Sequence, residues 1–367
     1  MNERKTVVII DDSSKVDFGG GQQITLSVAG ILQNRADLIF VDYTSRSNYI
    51  KYVQERFEKS PVVFLKSRLL RSLKIPVLFK KLFEAITLKL YFKANFNKLC
   101  KALPPDKAKL ITYTASKKGL TLANGLYKRY GIPYVFHAHL VERCEGIQFK
   151  MMLPYLKYAD SIICTSYAVL SSYKNLGNTI MQYNPRPFNN LRKSIKNENH
   201  FVIAFVGGLI PIKGVEYFVE AAQMVDRSCA EFRIYGDGPL KYELERKAAG
   251  KVRFMGFCRD IINEMLHEID VLVLPTIVAE ALPTVIIEAK SVGIPVITTN
   301  LGGQAEIVKN DQDGFLVDIK DSSAIAKAVD KLIFDLKRYN EMACRSYESS
   351  KMFSPDKFQN TIIETLL

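Results

Sequence analysis

Residues 271–293 read VLVLPTIVAEALPTVIIEAKSVG. Val271 to Leu274 is an apolar run of strand length, too short for a helix. After a loop, Pro283 stands where a helix can start, because a proline at the first helical position gives up no intrahelical hydrogen bond. Thr284 to Lys290 carries the helix, and Gly293 with Pro295 stops it. Two acids bracket the turn, Glu280 in the loop and Glu288 inside the helix. A strand, a loop and a helix start form a ligand site in doubly wound α/β folds, where free N–H groups and the positive helix end favour phosphate. The carboxylates would repel phosphate and suit sugar hydroxyls, which donate charge-assisted hydrogen bonds. The residue types alone therefore point to a nucleotide-sugar site.

Upstream of this stretch, an expected strand Phe201 to Val206 leads into GGLIPIKGVEYF, which contains Gly207 and Gly208 and puts Lys213 at a helix entrance. The P-loop pattern fails here, since no Ser or Thr follows the lysine, yet a lysine beside a helix N-terminus suits a diphosphate. A strand Glu231 to Tyr235, a Gly236-Asp237-Gly238-Pro239 turn, a helix and a strand Val252 to Met255 come next, followed by Gly256, Phe257 and Cys258. Beyond the central helix lie a strand Pro295 to Thr298 and a turn LGGQAEIV. Asn310 to Gly314 reads NDQDG; its spaced aspartates could suggest a metal, but the glycine directly after them makes it a tight turn before Phe315 to Val317.

At 367 residues the chain is too long for one compact core, and two domains are expected. Regular β–α alternation makes each half a parallel sheet flanked by helices. The expected fold is α/β, with two Rossmann-like doubly wound domains facing a cleft, over residues 1–190 and 200–350. The polar stretch Tyr183 to His200 reads as the linker, and residues 351–367 as a C-terminal helix crossing back to the first domain. Hydrophobic content of 48% and charge of 24% are those of a globular protein. The six cysteines include no C-x-x-C pair and read as reduced, mostly buried thiols of a cytosolic protein. MNERKTVVIIDD reads as a first strand and not a signal peptide, and no apolar run nears the ~18 residues of a membrane span.

The net charge of +13 is unevenly placed. Residues 1–190 hold 29 Lys and Arg against 13 Asp and Glu, whereas residues 191–367 hold 22 against 25. The basic half therefore faces a different partner. Between Lys66 and Lys101 ten basic residues and one acid alternate with apolar residues at three- and four-residue steps. Such a pattern suits an anionic membrane surface, or an ordinary helical pair with a solvated basic face. Nucleic acid is not expected, since no helix-turn-helix, zinc or aromatic-basic sheet motif accompanies the charge.

Gly19, Gly20 and Gly21 follow the first strand; their spacing is not the dinucleotide G-x-G-x-x-G, and they read either as a flexible loop or as an acceptor-side contact. The strand in GIPYVFHAHL ends with His137 and His139 on one face, at the carboxyl edge where α/β sheets bind ligands. One of the two is expected at the cleft between the domains. A metal site is not, because no cysteines or acids complete it.

The second half resembles the retaining glycosyltransferases of sequence family four, which have the two-domain B-type fold. The resemblance is carried by FVGGLIPIKGVEYFVEA, IYGDGPL, VRFMGF, DVLVLPT, EALPTVIIEAKSVGIPVITTNLGGQAEIV and DGFLV, and most specifically by the Glu280–Glu288 pair. The GGG loop, PYVFHAHL and ADSIICTSYAVL carry it more weakly in the first half. It implies that Glu280 binds donor-sugar hydroxyls near the reacting carbon, Glu288 the ribose and Lys213 the diphosphate. Backbone around Leu282, Pro283 and Thr284 would complete the phosphate site, Gly256 to Cys258 would hold the base, and His139 or His137 would reach the sugar. The family usually has V-G-R-L where this chain has Val206-Gly207-Gly208-Leu209, so an arginine is missing. Arg186 or a residue of the first domain is a candidate substitute.

The implied activity is transfer of a hexose-type sugar, with retention, from a nucleotide diphosphate sugar, of which uridine diphosphate is the commonest in the family. No metal or other cofactor is expected. The acceptor fitting the basic half is a lipid-linked or cell-surface glycan, which places the protein on the cytoplasmic face of the membrane. The rivals are a non-catalytic subunit of the same fold, favoured by the missing arginine, and a sugar-nucleotide epimerase.

Overall fold

The computed structural model describes residues 4–11, 20–42, 48–65, 92–139, 147–185, 192–197, 200–225, 230–258 and 260–367. The chain forms two units. The first comprises Met1–Thr165, Leu170–Gln182 and Asp356–Leu367, and the second Ser166–Val169 and Tyr183–Pro355.

The first unit is built on β1 (Thr6–Ile10), β2 (Asp37–Asp42), β3 (Val62–Phe64), β4 (Leu110–Thr114), β5 (Tyr134–Ala138), β6 (Ser161–Cys164) and β7 (Thr179–Met181). They pair in parallel in the order β3-β2-β1-β4-β5-β6-β7. A parallel sheet covered on both faces needs near-continuous apolar strands. β1 supplies one: Val7 and Ile9 enter a core with Ile24, Val28 and Tyr49, while Val8 and Ile10 enter a second core with Leu99, Leu122 and Leu126. The covering helices are α1 (Gly20–Leu32), α2 (Asn48–Arg56), α3 (92–102), α4 (Lys117–Tyr130), α5 (Ile147–Leu156) and the short α6 (Tyr167–Tyr173). α4 starts where Ser116 Oγ accepts from Gly119 N and ends at Gly131, whose φ of 70° closes it. Gly20 and Gly21 open α1, whereas Gly19, Arg186 and most of the basic stretch after Leu65 lie outside the described residues.

The second unit repeats the plan. β8 (Phe201–Val206), β9 (Ala230–Tyr235), β10 (Arg253–Gly256), β11 (Val271–Leu274), β12 (Val296–Thr299) and β13 (Gly314–Val317) pair in parallel as β10-β9-β8-β11-β12-β13. Between them run α7 (Val215–Met224), α8 (Lys241–Ala248), α9 (Ile261–His267), α10 (Thr284–Ser291) and α11 (Gly302–Ile307), followed by α12 (Ser322–Ile333) and α13 (Leu336–Ser350). LGGQAEIV, read from sequence as a turn, thus contains the short helix α11; its two glycines disguise it. In both sheets the strand order reverses beside the first strand, between β1 and β4 and between β8 and β11. Doubly wound folds bind ligands at such a reversal, outside the carboxyl ends of the strands.

The polar stretch that composition marks as a linker is fastened to the second unit. Lys193 and Lys196 converge on buried Asp270 at 2.9 and 3.0 Å, and Asp270 also accepts from Val202 N. Lys196 and Asn340 exchange two further hydrogen bonds. After α13 the chain leaves this unit as α14 (Pro355–Leu366), whose Phe358, Ile362 and Leu366 are fully buried in the first unit's core with Val7, Ile9 and Val28. Thr361 Oγ1 donates to Gln182 Oε1 at 2.7 Å on the same unit.

Neither aspartate of the NDQDG turn is free for a metal: Asp311 pairs with Arg338, and Asp313 is buried against Lys290 at 2.9 Å. Lys290 also donates to the Ile307 carbonyl, and Asp313 accepts from Lys309 N. This pair ties α10 to the turn before β13. Burial pulls the Lys290 pKa down, against the pull of Asp313. Removing one member leaves a buried charge unpaired, so Lys290→Met is expected to cost about 3–5 kcal/mol. Adding Asp313→Asn should recover part of that loss; urea denaturation in which the double variant is the less stable one would contradict the account.

Among the four cysteines described, only Cys164 is buried, and Cys100, Cys258 and Cys344 are part-buried. All four are free, so the sequence expectation of mostly buried thiols holds for one of them.

Candidate functional site

The carboxyl edge of the second sheet gathers the residues singled out from sequence. Gly207 follows β8 and donates its N–H to the Tyr235 carbonyl at the end of β9; Gly236 N donates to the Gly256 carbonyl at the end of β10. The loops after β10, β9 and β8 therefore lie side by side. Phe257, next on this edge, is 77% exposed, while Cys258 packs in part on the core. On the other side of β8, the loop after β11 lies against the turn Pro211–Lys213, joined by Ile277 N to the Ile212 carbonyl at 3.0 Å.

That approach depends on Gly214. Its φ is 64°, and a Cβ there would lie 2.0 Å from the Pro275 carbonyl oxygen. With no side chain in the way, Lys213 Nζ comes 2.7 Å from Glu280 Oε2. Both side chains are about a fifth to a quarter exposed, so the pair faces solvent without being fully solvated. The other carboxylate oxygen of Glu280 accepts from Thr276 Oγ1 at 2.8 Å.

Leu282 and Pro283 are buried, and Pro283 caps α10 in an extended conformation instead of occupying its first turn. Thr284 starts the helix and Glu288 follows four residues later, so both fall on one face. That face is part-exposed, whereas Ile286, Ile287, Ala289 and Lys290 are buried. Gly208 stands where the arginine was expected, and a Cβ there would meet no heavy atom within 4 Å.

The two histidines belong to the first unit and differ from each other. His137, expected on the acceptor side, is wholly buried: its Nδ1 is 2.7 Å from the Tyr113 hydroxyl and its ring stacks with Phe358. It is a core residue, because the strand end where it sits is covered by α14. His139 lies just past β5 with its ring 4.2 Å from that of His137. Burial lowers its pKa from 6.5 to about 4. The folded state thus resists a proton that the unfolded chain accepts, so stability is full above pH 6.5 and falls as pH drops toward 4. His139→Gln should flatten that fall in a melting-temperature series; an unchanged profile would remove His139 as its source.

Sequence reasoning missed Thr276, Thr299 and Gln304, which hold the loop after β11, and the buried Lys290–Asp313 pair. They carry no motif of their own. The threonine in VLVLPT and the glutamine in LGGQAE stand next to the recognisable residues, and burial alone distinguishes them.

Residues 200–335 match the family model described as Glycosyl transferases group 1. The UDP-Gal:alpha-D-GlcNAc-diphosphoundecaprenol alpha-1,3-galactosyltransferase of Escherichia coli is 35% identical over 147 residues, which are 37% of this chain and 38% of that protein. An alpha-1,4-N-acetyl-D-galactosaminyltransferase of Campylobacter jejuni, named for an undecaprenol-linked acceptor, is 30% identical over 167 residues, 44% of this chain and 45% of the relative. The chain thus spans less than half the length of these two curated relatives. Over nearly the whole chain, Anabaena HepE in complex with UDP superposes with a TM-score of 0.77 at 20% identity, covering 98% of this chain and 99% of that one. Sucrose-phosphate synthase from Thermosynechococcus elongatus does so with a TM-score of 0.75 at 18% identity, covering 98% of each chain. At these identities the structural likeness is one of fold. Residues 200–335 of the second unit accordingly match the glycosyl transferases group 1 model, and over nearly its whole length the chain has the two-domain Rossmann-like fold of these solved structures.

Proposed function

We propose that the chain transfers a hexose from a UDP-sugar, with retention at the anomeric carbon, to a lipid-linked or cell-surface glycan. The observation that carries this reading is the meeting of Lys213 and Glu280 at the strand-order reversal, 2.7 Å apart. A cation and an acid side by side suit a ligand whose diphosphate adjoins a sugar. Lys213 and the N–H groups at the start of α10 would take the diphosphate and stabilise it as it leaves. Glu280 would accept hydrogen bonds from the donor sugar, Glu288 from the ribose, and the Gly256–Cys258 turn would hold the base beside exposed Phe257. No carboxylate is assigned as a covalent nucleophile, so the acceptor attacks on the face the diphosphate leaves. The leaving-group charge is met by Lys213 and the helix, and turnover is expected to survive EDTA. The choice of UDP is supported by the relatives, one named for UDP-Gal and one solved with UDP.

A thermal-shift screen of UDP-, GDP- and ADP-sugars tests the donor class; no shift with any of them would sink it. The membrane side of the proposal is supported by the 29 basic against 13 acidic residues in 1–190. Among the described residues no helix is long and apolar enough to cross a membrane. Pelleting with anionic liposomes should weaken as salt rises, since surface attraction is screened within ~10 Å at 0.1 M. Binding indifferent to both salt and anionic lipid would remove that part.

One observation favours a second reading, a non-catalytic subunit: Gly208 replaces the family's arginine. The open space at Gly208 allows a direct check. In an enzyme, Gly208→Arg adds a charge-assisted contact worth about 1.5–3 kcal/mol and should tighten donor binding tenfold or more. In a scaffold it changes no turnover, because there is none.

A further inference from the structure

Glu280 has four polar handles, and each is held. Its carboxylate accepts from Lys213 Nζ at 2.7 Å and from Thr276 Oγ1 at 2.8 Å. Its backbone N–H donates to Gln304 Oε1 at 3.1 Å, and its carbonyl accepts from Gly303 N at 2.7 Å. Gln304 is completely buried, and its amide nitrogen donates to the Val278 carbonyl at 3.1 Å and reaches Thr299 Oγ1 at 3.4 Å. Thr299 in turn donates to the Thr276 carbonyl at 2.6 Å. The glutamine thus joins the loop after β11 at two points to the end of β12. Only a side-chain amide offers an acceptor and two donors together, as Glu280 N–H, Val278 carbonyl and Thr299 hydroxyl require. The approach is close: a Cβ on Gly303 would lie 1.9 Å from the Ala281 carbonyl oxygen, so α11 presses directly on the loop.

We infer that Gln304 and Thr276 are positioning residues for the donor sugar, fixing Glu280 so that its carboxylate meets the sugar hydroxyls without first being ordered. This rests on the reading of Glu280 as the sugar-binding acid. A loop residue held at backbone and side chain loses little conformational freedom on binding, and the saving appears as affinity for the group it contacts. The side-chain hydrogen bonds of Gln304 and Thr276 go to Glu280, Val278 and Thr299 and not to the lysine, so the nucleotide part of the ligand should sense them less.

The test compares the binding of UDP with that of UDP-glucose and UDP-galactose by calorimetry, for the full chain and for Gln304→Met, Thr276→Val and Thr276→Ser. The better sugar donor should lose about five- to tenfold in affinity with Gln304→Met and with Thr276→Val, while UDP changes less than twofold. Thr276→Ser keeps the hydroxyl and should bind as the parent does. In a Glu280→Gln background either substitution should cost less than a further twofold, because the residue it positions is already disabled. Equal losses for UDP and the sugar donor, or full additivity with Glu280→Gln, would mean that the two side chains only support the fold. If Gln304→Met does not fold, Thr276→Val, which exchanges a hydroxyl for a methyl, carries the test alone. A parent that binds none of the three nucleotides overturns the functional reading itself. A parent whose sugar preference depends on Glu280 but not on Thr276 or Gln304 overturns this inference only.

Discussion

Glu280→Gln is expected to lower kcat by about 10²–10³ while leaving UDP affinity intact or improved. On the proposed reading, the loss follows from removing a fixed negative group beside the carbon where positive charge would develop, an effect of that size when one preorganised contact is deleted. The unchanged or better nucleotide affinity follows from the ion pair. Glu280 lies 2.7 Å from Lys213, and a neutral amide neither competes for the lysine nor repels a diphosphate. Steady-state kinetics and calorimetry on one preparation separate the two effects. Turnover retained within tenfold would remove Glu280 from the site; UDP affinity lost in step with kcat would mean that the substitution had damaged the loop.

Lys213→Ala should act on the other end of the ligand. A charge-assisted hydrogen bond to a diphosphate contributes about 1.5–3 kcal/mol, so UDP and UDP-sugar should both weaken by roughly 10–100-fold. If the same contact strengthens as the diphosphate leaves, kcat falls as well. The variant also strands Glu280 without its cation, and Lys213→Arg is the control that restores charge. An alanine variant that loses sugar-donor affinity alone, with UDP unaffected, would reverse the roles assigned to the two side chains.

The β–α alternation was legible because buried parallel strands must be apolar throughout, and VLVL, FVIAFV and TVVII say so without help from neighbours. Glu280 and Lys213 were legible for a local reason: each stands where a strand passes into a helix. Their meeting is a property of strand order, which places β8 beside β11 although 64 residues separate Val206 from Val271. Gln304 was hidden because nothing in LGGQAE marks a glutamine as interior; its burial comes from α11 lying against a loop more than twenty residues earlier. His137 misled for the opposite reason. Alternation put it at the ligand edge, and α14, arriving over two hundred residues later, covers it with Phe358.

That last helix has a bearing on how the molecule is made. Phe358, Ile362 and Leu366 complete the interior of a sheet whose opening strand begins at Thr6. During synthesis the whole second unit is threaded out of the ribosome between the two, so the unit that starts first is the last to be finished. Until then the surface reserved for α14 is exposed, and a chain cut short at residue 355 leaves the amino-terminal unit, not the carboxyl-terminal one, without part of its core.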